Sequence, residues 1–244
     1  MFFLALGIAL CEGWGMSETG AVGAINDPGA IRPGAVGRPM AELELRVAAD
    51  GELLLRGPSL MRGYRGEPGL TAEAIDAEGW LHTGDVGTVD ADGYVTIVDR
   101  KKELIINTGG KNMSPAGIEN AVLSTCPIIG ALMAVGDRRP YVVALITLDP
   151  DAARRLAGKA ADDAALAADP RVLAAVHDGV ARANAKLSRV EQIKTFTVLP
   201  GVWPPGGDEL TPTVKLRRQV ILTKYAAEID ALYAGTPSPA RTTE

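Results

Sequence analysis

Cysteine is nearly absent from this chain of 244 residues: there are two, Cys11 and Cys126. They lie far apart, with no metal-ligand partner close to either. That excludes a disulfide framework and a cysteine-based metal centre. Both read as small, buried apolar residues of a protein from a reducing compartment. An excess of basic charge is also missing, and the net charge of −5 argues against a nucleic-acid binder that depends on a basic face. The sequence holds no CxxC, no HExxH, and no GxGxxG that opens a helix after a strand. Thr108-Gly-Gly-Lys-Asn112 hints at a phosphate loop, but Ile105 stands where that pattern needs glycine and Asn112 where it needs Ser or Thr. Long apolar runs are lacking too. Met1 to Leu10 is too short to span a bilayer, no basic residue precedes it, and no Ala-x-Ala cleavage site follows. It reads as a buried helix end plus strand. A chain that opens inside a core element suggests an upstream part.

What is present is the composition of a soluble globular protein, 47% hydrophobic and 23% charged, with room for two modest domains or one large one. Its centre is Gly93 to Gly110. A β-branched strand, Val95 to Val98, meets a charged tetrad, Asp99 to Lys102, with Glu103 after it, before the chain turns apolar again at Leu104 and ends in a glycine pair. One strand through one core would bury those charges without partners. The tetrad is therefore either the exposed turn of a hairpin or a joint between two packed units.

Upstream, alternation over Glu42 to Val47, the Asp50-Gly51 turn and Glu52 to Arg56 predict a hairpin over 42–56. Residues 27–39 form a structured Gly/Pro loop, and Leu70 to Ala77 a short helix capped by Thr71. Two loops carry candidate chemistry. In Gly13-Trp-Gly-Met-Ser-Glu-Thr-Gly20, glycine permits close backbone approach, Trp14 offers a stacking face, and Glu18 could hold a hard cation; alternatively Ser17 and Glu18 cap the next element. In Gly79 to Gly87, Asp85 beside glycines suits a vicinal diol such as a ribose, whereas His82 reads as structural.

Downstream, Ser114 and Pro115 mark a helix start, and Pro127 to Val135 and Tyr141 to Leu148 read as strands. An Ala-rich stretch from Asp151 to Leu187 holds two helices split near Asp169-Pro170, and Val190 to Val198 is a further strand. The order suggests a small α+β domain. Thr211, Pro212 and Thr213 are expected to keep the chain extended before Lys215. That lysine could swing onto a developing negative charge or belong to a solvated basic patch. A last helix over Gln219 to Leu232 precedes a tail expected to be disordered.

Four of these segments together, Trp14-Gly-Met-Ser-Glu-Thr19, Leu81-His-Thr-Gly-Asp-Val86, Asp99-Arg-Lys-Lys-Glu103 and Leu210-Thr-Pro-Thr-Val-Lys-Leu-Arg-Arg218, resemble in order the later motifs of the adenylate-forming (AMP-binding) enzymes. The Asp-Arg-Lys-Lys and Leu-Thr-Pro-Thr-x-Lys forms, with Asp99 in place of the commoner glycine, are most similar to the long-chain fatty acyl-CoA synthetases. The resemblance implies a mixed α+β fold: the β-rich C-terminal part of the large domain over 1–99, a hinge at 100–102, a small C-terminal α+β domain over 103–233, and the tail at 234–244. It implies that Trp14 stacks on adenine beside Gly15, that Ser17 replaces the usual threonine, and that Glu18 holds Mg²⁺. Asp85 would bind the ribose with Arg100 near it, Lys102 would be the pivot, Lys215 the adenylating lysine, and Gly109-Gly110 part of the thioester-forming site. ATP, Mg²⁺, CoA and a fatty acid follow as ligands, with a separate N-terminal chain of the same enzyme as a partner. No nucleic acid is implied, and at most peripheral association with a membrane from the cytoplasm. The family's phosphate loop ending in Pro-Lys-Gly is missing, so the implied activity is that of a C-terminal portion, inactive alone. The alternatives are a non-catalytic remnant or binding module, and a ligase whose acceptor is a carrier-protein thiol.

Overall fold

Alternation and turn chemistry settle the first half of the chain. A computed structural model describes residues 2–158 and 162–234, and the chain divides into two compact units between Glu103 and Leu104. The first unit contains helix α1 (Phe2–Ala5) and strands β1 (Gly13–Trp14), β2 (Ala24–Ile25) and β3 (Arg38–Pro39), which pair as a small antiparallel sheet. Strands β4 (Glu44–Val47) and β5 (Glu52–Arg56) form the expected hairpin. Its turn is fixed by Gly51 at φ +87° and by Asp50 Oδ1, which accepts the Glu52 N–H at 3.1 Å. After helix α2 (Pro68–Ala74), strands β6 (Leu81–Val89) and β7 (Val95–Arg100) extend this to a four-stranded meander. Leu53, Val95 and Ala24 make its core, with Trp14, Leu45 and Ile97 packed against them.

The second unit opens with the two-residue strands β8 (Ile105–Ile106) and β9 (Asn112–Met113). Helix α3 (Pro115–Leu123) follows, capped by Ser114 Oγ, which accepts the Gly117 N–H. Next come β10 (Ile129–Val135), β11 (Val142–Leu148), helices α4 (Pro150–Ala157), α5 (Asp163–Ala168) and α6 (Pro170–Asn184), strand β12 (Ile193–Val198), and helices α7 (Arg218–Lys224) and α8 (Ala226–Ala234). Strand β11 lies between antiparallel β10 and parallel β12, and all seven of its residues are buried. It is covered on both faces. Val142, Ala144 and Ile146 meet residues of α3 to α6, and Val143 and Leu145 meet Trp203, Leu210, Ile221 and Ile229. The chain is thus a mixed α+β protein. No helix among the described residues is long and apolar enough to cross a membrane.

Several local expectations need correction. The apolar start is not buried: α1 buries nothing, and Phe2, Phe3, Leu6, Ile8 and Leu10 are exposed. Cys11 is only half-buried, unlike Cys126. Helix α2 begins at Pro68, whose fixed φ suits the first turn, so Thr71 lies inside it with its hydroxyl on the Glu67 carbonyl. The stretch before Asp169 is two helices, because Gly158 at φ +70° ends α4 and Asp162 caps a new start. The last helix is broken at Tyr225, whose φ and ψ of −109° and 28° are not helical. The tail from 235 onward lies outside the described residues.

Candidate functional site

In the first unit the site is built on a bulge. Glu52 faces Val86 and Leu54 faces His82, so Thr83, Gly84 and Asp85 of β6 are set against Leu53 alone. Bulges of this kind re-aim a side chain. This one is held by three bonds: Thr83 Oγ1 donates to the Leu53 carbonyl at 2.7 Å and accepts the Asp85 N–H at 3.1 Å, and the Gly84 N–H donates to Glu52 Oε1 at 2.9 Å. Gly84 takes φ +69°, a region that favours glycine. Asp85 is 5% exposed. Its Oδ2 accepts the Trp14 indole N–H at 2.7 Å, and its Oδ1 pairs at 2.8 Å with Nε of Arg100, its register partner on β7. Trp14, Asp85 and Arg100, separated by up to 86 positions in the sequence, therefore meet at one carboxylate. Each oxygen of that carboxylate keeps a further lone pair for a hydroxyl donor. Next to Trp14, Gly15 is obligatory, since a Cβ there would lie 2.1 Å from the Ala21 carbonyl oxygen.

Ser17 and Glu18 sit on the short 3-10 turn Ser17–Thr19 that follows β1. Neither caps it; Thr19 Oγ1 does, accepting the Met16 N–H at 3.2 Å and donating to the Met16 carbonyl at 2.9 Å. Glu18 Oε1 accepts the Tyr64 hydroxyl at 2.8 Å, and this bond raises the tyrosine pKa above its ordinary value. Among the described residues no three His, Cys, Asp or Glu side chains gather as a metal cage. The single half-buried Glu18 carboxylate, whose Oε2 takes no bond from Tyr64, fits Mg²⁺ that takes its other ligands from phosphates and water.

The charged tetrad is divided between strand and turn. Asp99 and Arg100 end β7, and Lys101–Glu103 form a 3-10 turn on which Lys102 is exposed. Lys101, to which the sequence assigned no role, puts its ammonium 2.6 Å from Asp50 Oδ2 and 2.8 Å from Glu52 Oε2. The Asp50 and Glu52 hydrogen bonds raise the Lys101 pKa, and the Lys101 bond lowers that of Asp50. Burial pushes Glu52 up, but Lys101, the Gly84 N–H and His82 outweigh it and hold the carboxyl below its ordinary value. His82 lies 3.3 Å from Glu52 and 3.6 Å from Asp76, in keeping with a structural role.

The second unit carries the remaining candidates on separate loops. Asn107 Oδ1 accepts the Gly109 and Lys111 N–H groups, each at 3.0 Å, and Gly110 takes φ +72°, so the glycine pair is a formed turn. Lys215 is not on extended chain. Leu210 and Leu216 bridge, the Thr211 N–H donates to the Lys215 carbonyl at 2.9 Å, and Thr211 Oγ1 accepts the Lys215 N–H at 3.0 Å. Lys215 is thus the exposed last residue of a closed hairpin. Its base is pinned twice. Buried Glu209 accepts Lys224 Nζ at 2.6 Å and the Tyr225 hydroxyl at 3.1 Å, and Arg218 forms a bidentate pair with buried Glu119 at 2.7 and 2.9 Å.

Comparison with known proteins adds to this geometry. The family model described as AMP-binding enzyme C-terminal domain matches residues 102–237, and the AMP-binding enzyme model matches residues 1–65. A Mycobacterium tuberculosis protein named among the fatty-acid–CoA ligases, FadD11, is 56% identical over 98% of this chain and 42% of its own length. The long-chain-fatty-acid–CoA ligase FadD15 of Mycobacterium bovis is 41% identical over 95% of this chain and 39% of its own length. The chain therefore spans about two fifths of these curated relatives. The adenylation domain of a carboxylate reductase from Mycobacterium chelonae superposes with a TM-score of 0.76 at 22% identity, covering 96% of this chain and 36% of that one. That likeness is one of fold.

Proposed function

The chain belongs to the family of AMP-binding enzymes, and from that premise we propose that it is the C-terminal portion of an ATP-dependent fatty acid–CoA ligase. In the first step the fatty carboxylate oxygen attacks the α-phosphorus of ATP, and the bond to pyrophosphate breaks to leave an acyl-adenylate. In the second the CoA thiolate attacks the acyl carbonyl, and the bond to AMP breaks as the thioester forms. Trp14 stacks on adenine with Gly15 and Ser17 at the nucleotide's edge. Asp85 accepts the ribose hydroxyls, and Arg100 contacts the same ribose or the adjoining phosphate. Glu18 holds Mg²⁺, which when bound offsets phosphate charge. Lys215 donates to the charge that gathers on the attacked phosphate. Lys102 is the pivot that exchanges one half-reaction for the other, and the Gly109-Gly110 turn serves the thioester step.

The observation that carries this reading is the convergence of Trp14 and Arg100 on the buried carboxylate of Asp85. The names of the two mycobacterial relatives support the substrate class. Residues that cradle the phosphates and the acyl chain would come from an upstream segment, so the chain works with that segment rather than alone. The test is fatty-acid-dependent pyrophosphate release, with and without the upstream segment of such a ligase supplied in trans. Release only in its presence is expected. Release by the chain alone would overturn the partial-enzyme reading, and no release under either condition would favour a non-catalytic binding module. Thioester formation on a carrier protein in preference to CoA would reassign the acceptor.

A further inference from the structure

One carboxylate holds the Asp85 site from behind. Glu52, 4% exposed, gives its Oε1 to the N–H of Gly84 at 2.9 Å and its Oε2 to the ammonium of Lys101 at 2.8 Å. Gly84 precedes Asp85 and Lys101 follows Arg100. Both members of the Asp85–Arg100 pair therefore have a neighbour tied to the same group. Asp50 shares the Lys101 ammonium at 2.6 Å, and His82 Nδ1 lies 3.3 Å from Glu52 Oε2. A buried carboxylate is costly unless its lone pairs are met. Here they are met by an amide, an ammonium and an imidazole, all of the first unit, which makes Glu52 a fixed point. Lys102, exposed one residue further on, takes no part in this network.

We propose that Glu52 is a positioning residue: through Gly84 it fixes the bulge that aims Asp85, and through Lys101 it clips the end of β7 so that chain rotation begins at Lys102 and not before. A swing taken up by the backbone of Arg100 would carry its guanidinium off Asp85. The clip insulates the pair from that motion. The roles of Asp85 and Lys102 in this rest on the ligase reading above; the clip itself does not.

Hydrogen exchange on the chain alone tests it, because the network lies within one unit. Glu52→Ala is expected to speed exchange about tenfold at both Gly84–Asp85 and Arg100–Lys102. Lys101→Met should speed it at the second segment only, and Lys101→Arg should restore the parent rate. The amides of Val36 and Val95, bonded across the first unit away from Glu52, should stay unchanged, which excludes loosening of that whole unit. Should Glu52→Ala not fold, Glu52→Gln keeps an acceptor for Gly84 but no charge for Lys101, and is expected to free 100–102 alone. Unchanged exchange at 100–102 in the Glu52 variants, or Lys101→Arg as disruptive as Lys101→Met, would overturn the clip. In the reconstituted ligase, Glu52→Ala should raise KM for ATP about tenfold more than it lowers kcat. An intact exchange pattern without any pyrophosphate release would sink the ligase reading and leave the clip standing.

Discussion

Lys215 is the residue on which the proposed chemistry depends most directly. It stands exposed at the end of a hairpin whose base is fixed by Glu209 on one side and by the Arg218–Glu119 pair on the other. A backbone anchored in that way gives up little freedom when the lysine side chain meets a charged transition state, which favours a large electrostatic effect. Lys215→Ala should lower fatty-acid-dependent pyrophosphate release by the reconstituted enzyme about 10²–10³-fold, while thioester formation from preformed acyl-adenylate stays near the parent rate. Equal loss in both assays would remove the role assigned to it. The lysine itself was legible in the sequence. Its setting was not, because the pairs that fix it, Lys224 with Glu209 and Arg218 with Glu119, form across 15 and 99 positions and leave no local signal.

Elements whose signals are local were readable: the 44–56 hairpin from its Asp-Gly turn, α3 from Ser114-Pro115, and α6 from Asp169-Pro170. Elements closed by a side chain were not. Proline at position 212 biases its neighbour toward extended backbone. The Thr211 hydroxyl nonetheless gathers the Lys215 N–H and closes the loop, and the cost falls on Val214, which takes φ +62° at 61% exposure. A β-branched residue is strained there, whereas asparagine tolerates the region. Val214→Asn should raise stability by about 1 kcal/mol, read as a shift in denaturant midpoint at constant slope. Strand β5 hid the Glu52 clip for a related reason, since in Glu-Leu-Leu-Leu-Arg the acid reads as the strand's first residue. Its pH dependence follows from its partners. Asp50 and Glu52 are both held below their ordinary values of 3.8 and 4.5. A depressed carboxyl contributes stability above its unfolded pKa and loses it as pH falls through the folded value. The clip should therefore be closed at neutral pH and open only in acid, with the Glu52 side-chain carbon resonance titrating below 4.5 in the parent and nearer that value in Lys101→Met.

Across the whole molecule, apolar surface is distributed unevenly. The second unit covers both faces of its central strand β11 with its own helices and loops. The start of the first unit is the opposite case: Phe2 is 71% exposed and Leu6 61%, with Phe3, Ile8 and Leu10 alongside, and the four-residue α1 buries none of its side chains. A helix that short draws no stability from its own hydrogen bonds, so in water this run gains only by meeting another apolar surface. In the ligase reading that surface belongs to the upstream segment. A triple change, Phe2→Ser, Phe3→Ser and Leu6→Ser, removes apolar area that contributes nothing to the described core. It should leave the unfolding midpoint within about 0.5 kcal/mol of the parent. Binding of a hydrophobic dye should fall at least about twofold, and the parent's dye signal should fall likewise when the upstream segment is added. A triple variant that unfolds earlier would mean that the run packs on its own unit after all. Dye binding unmoved by the upstream segment would mean that the segment seats elsewhere.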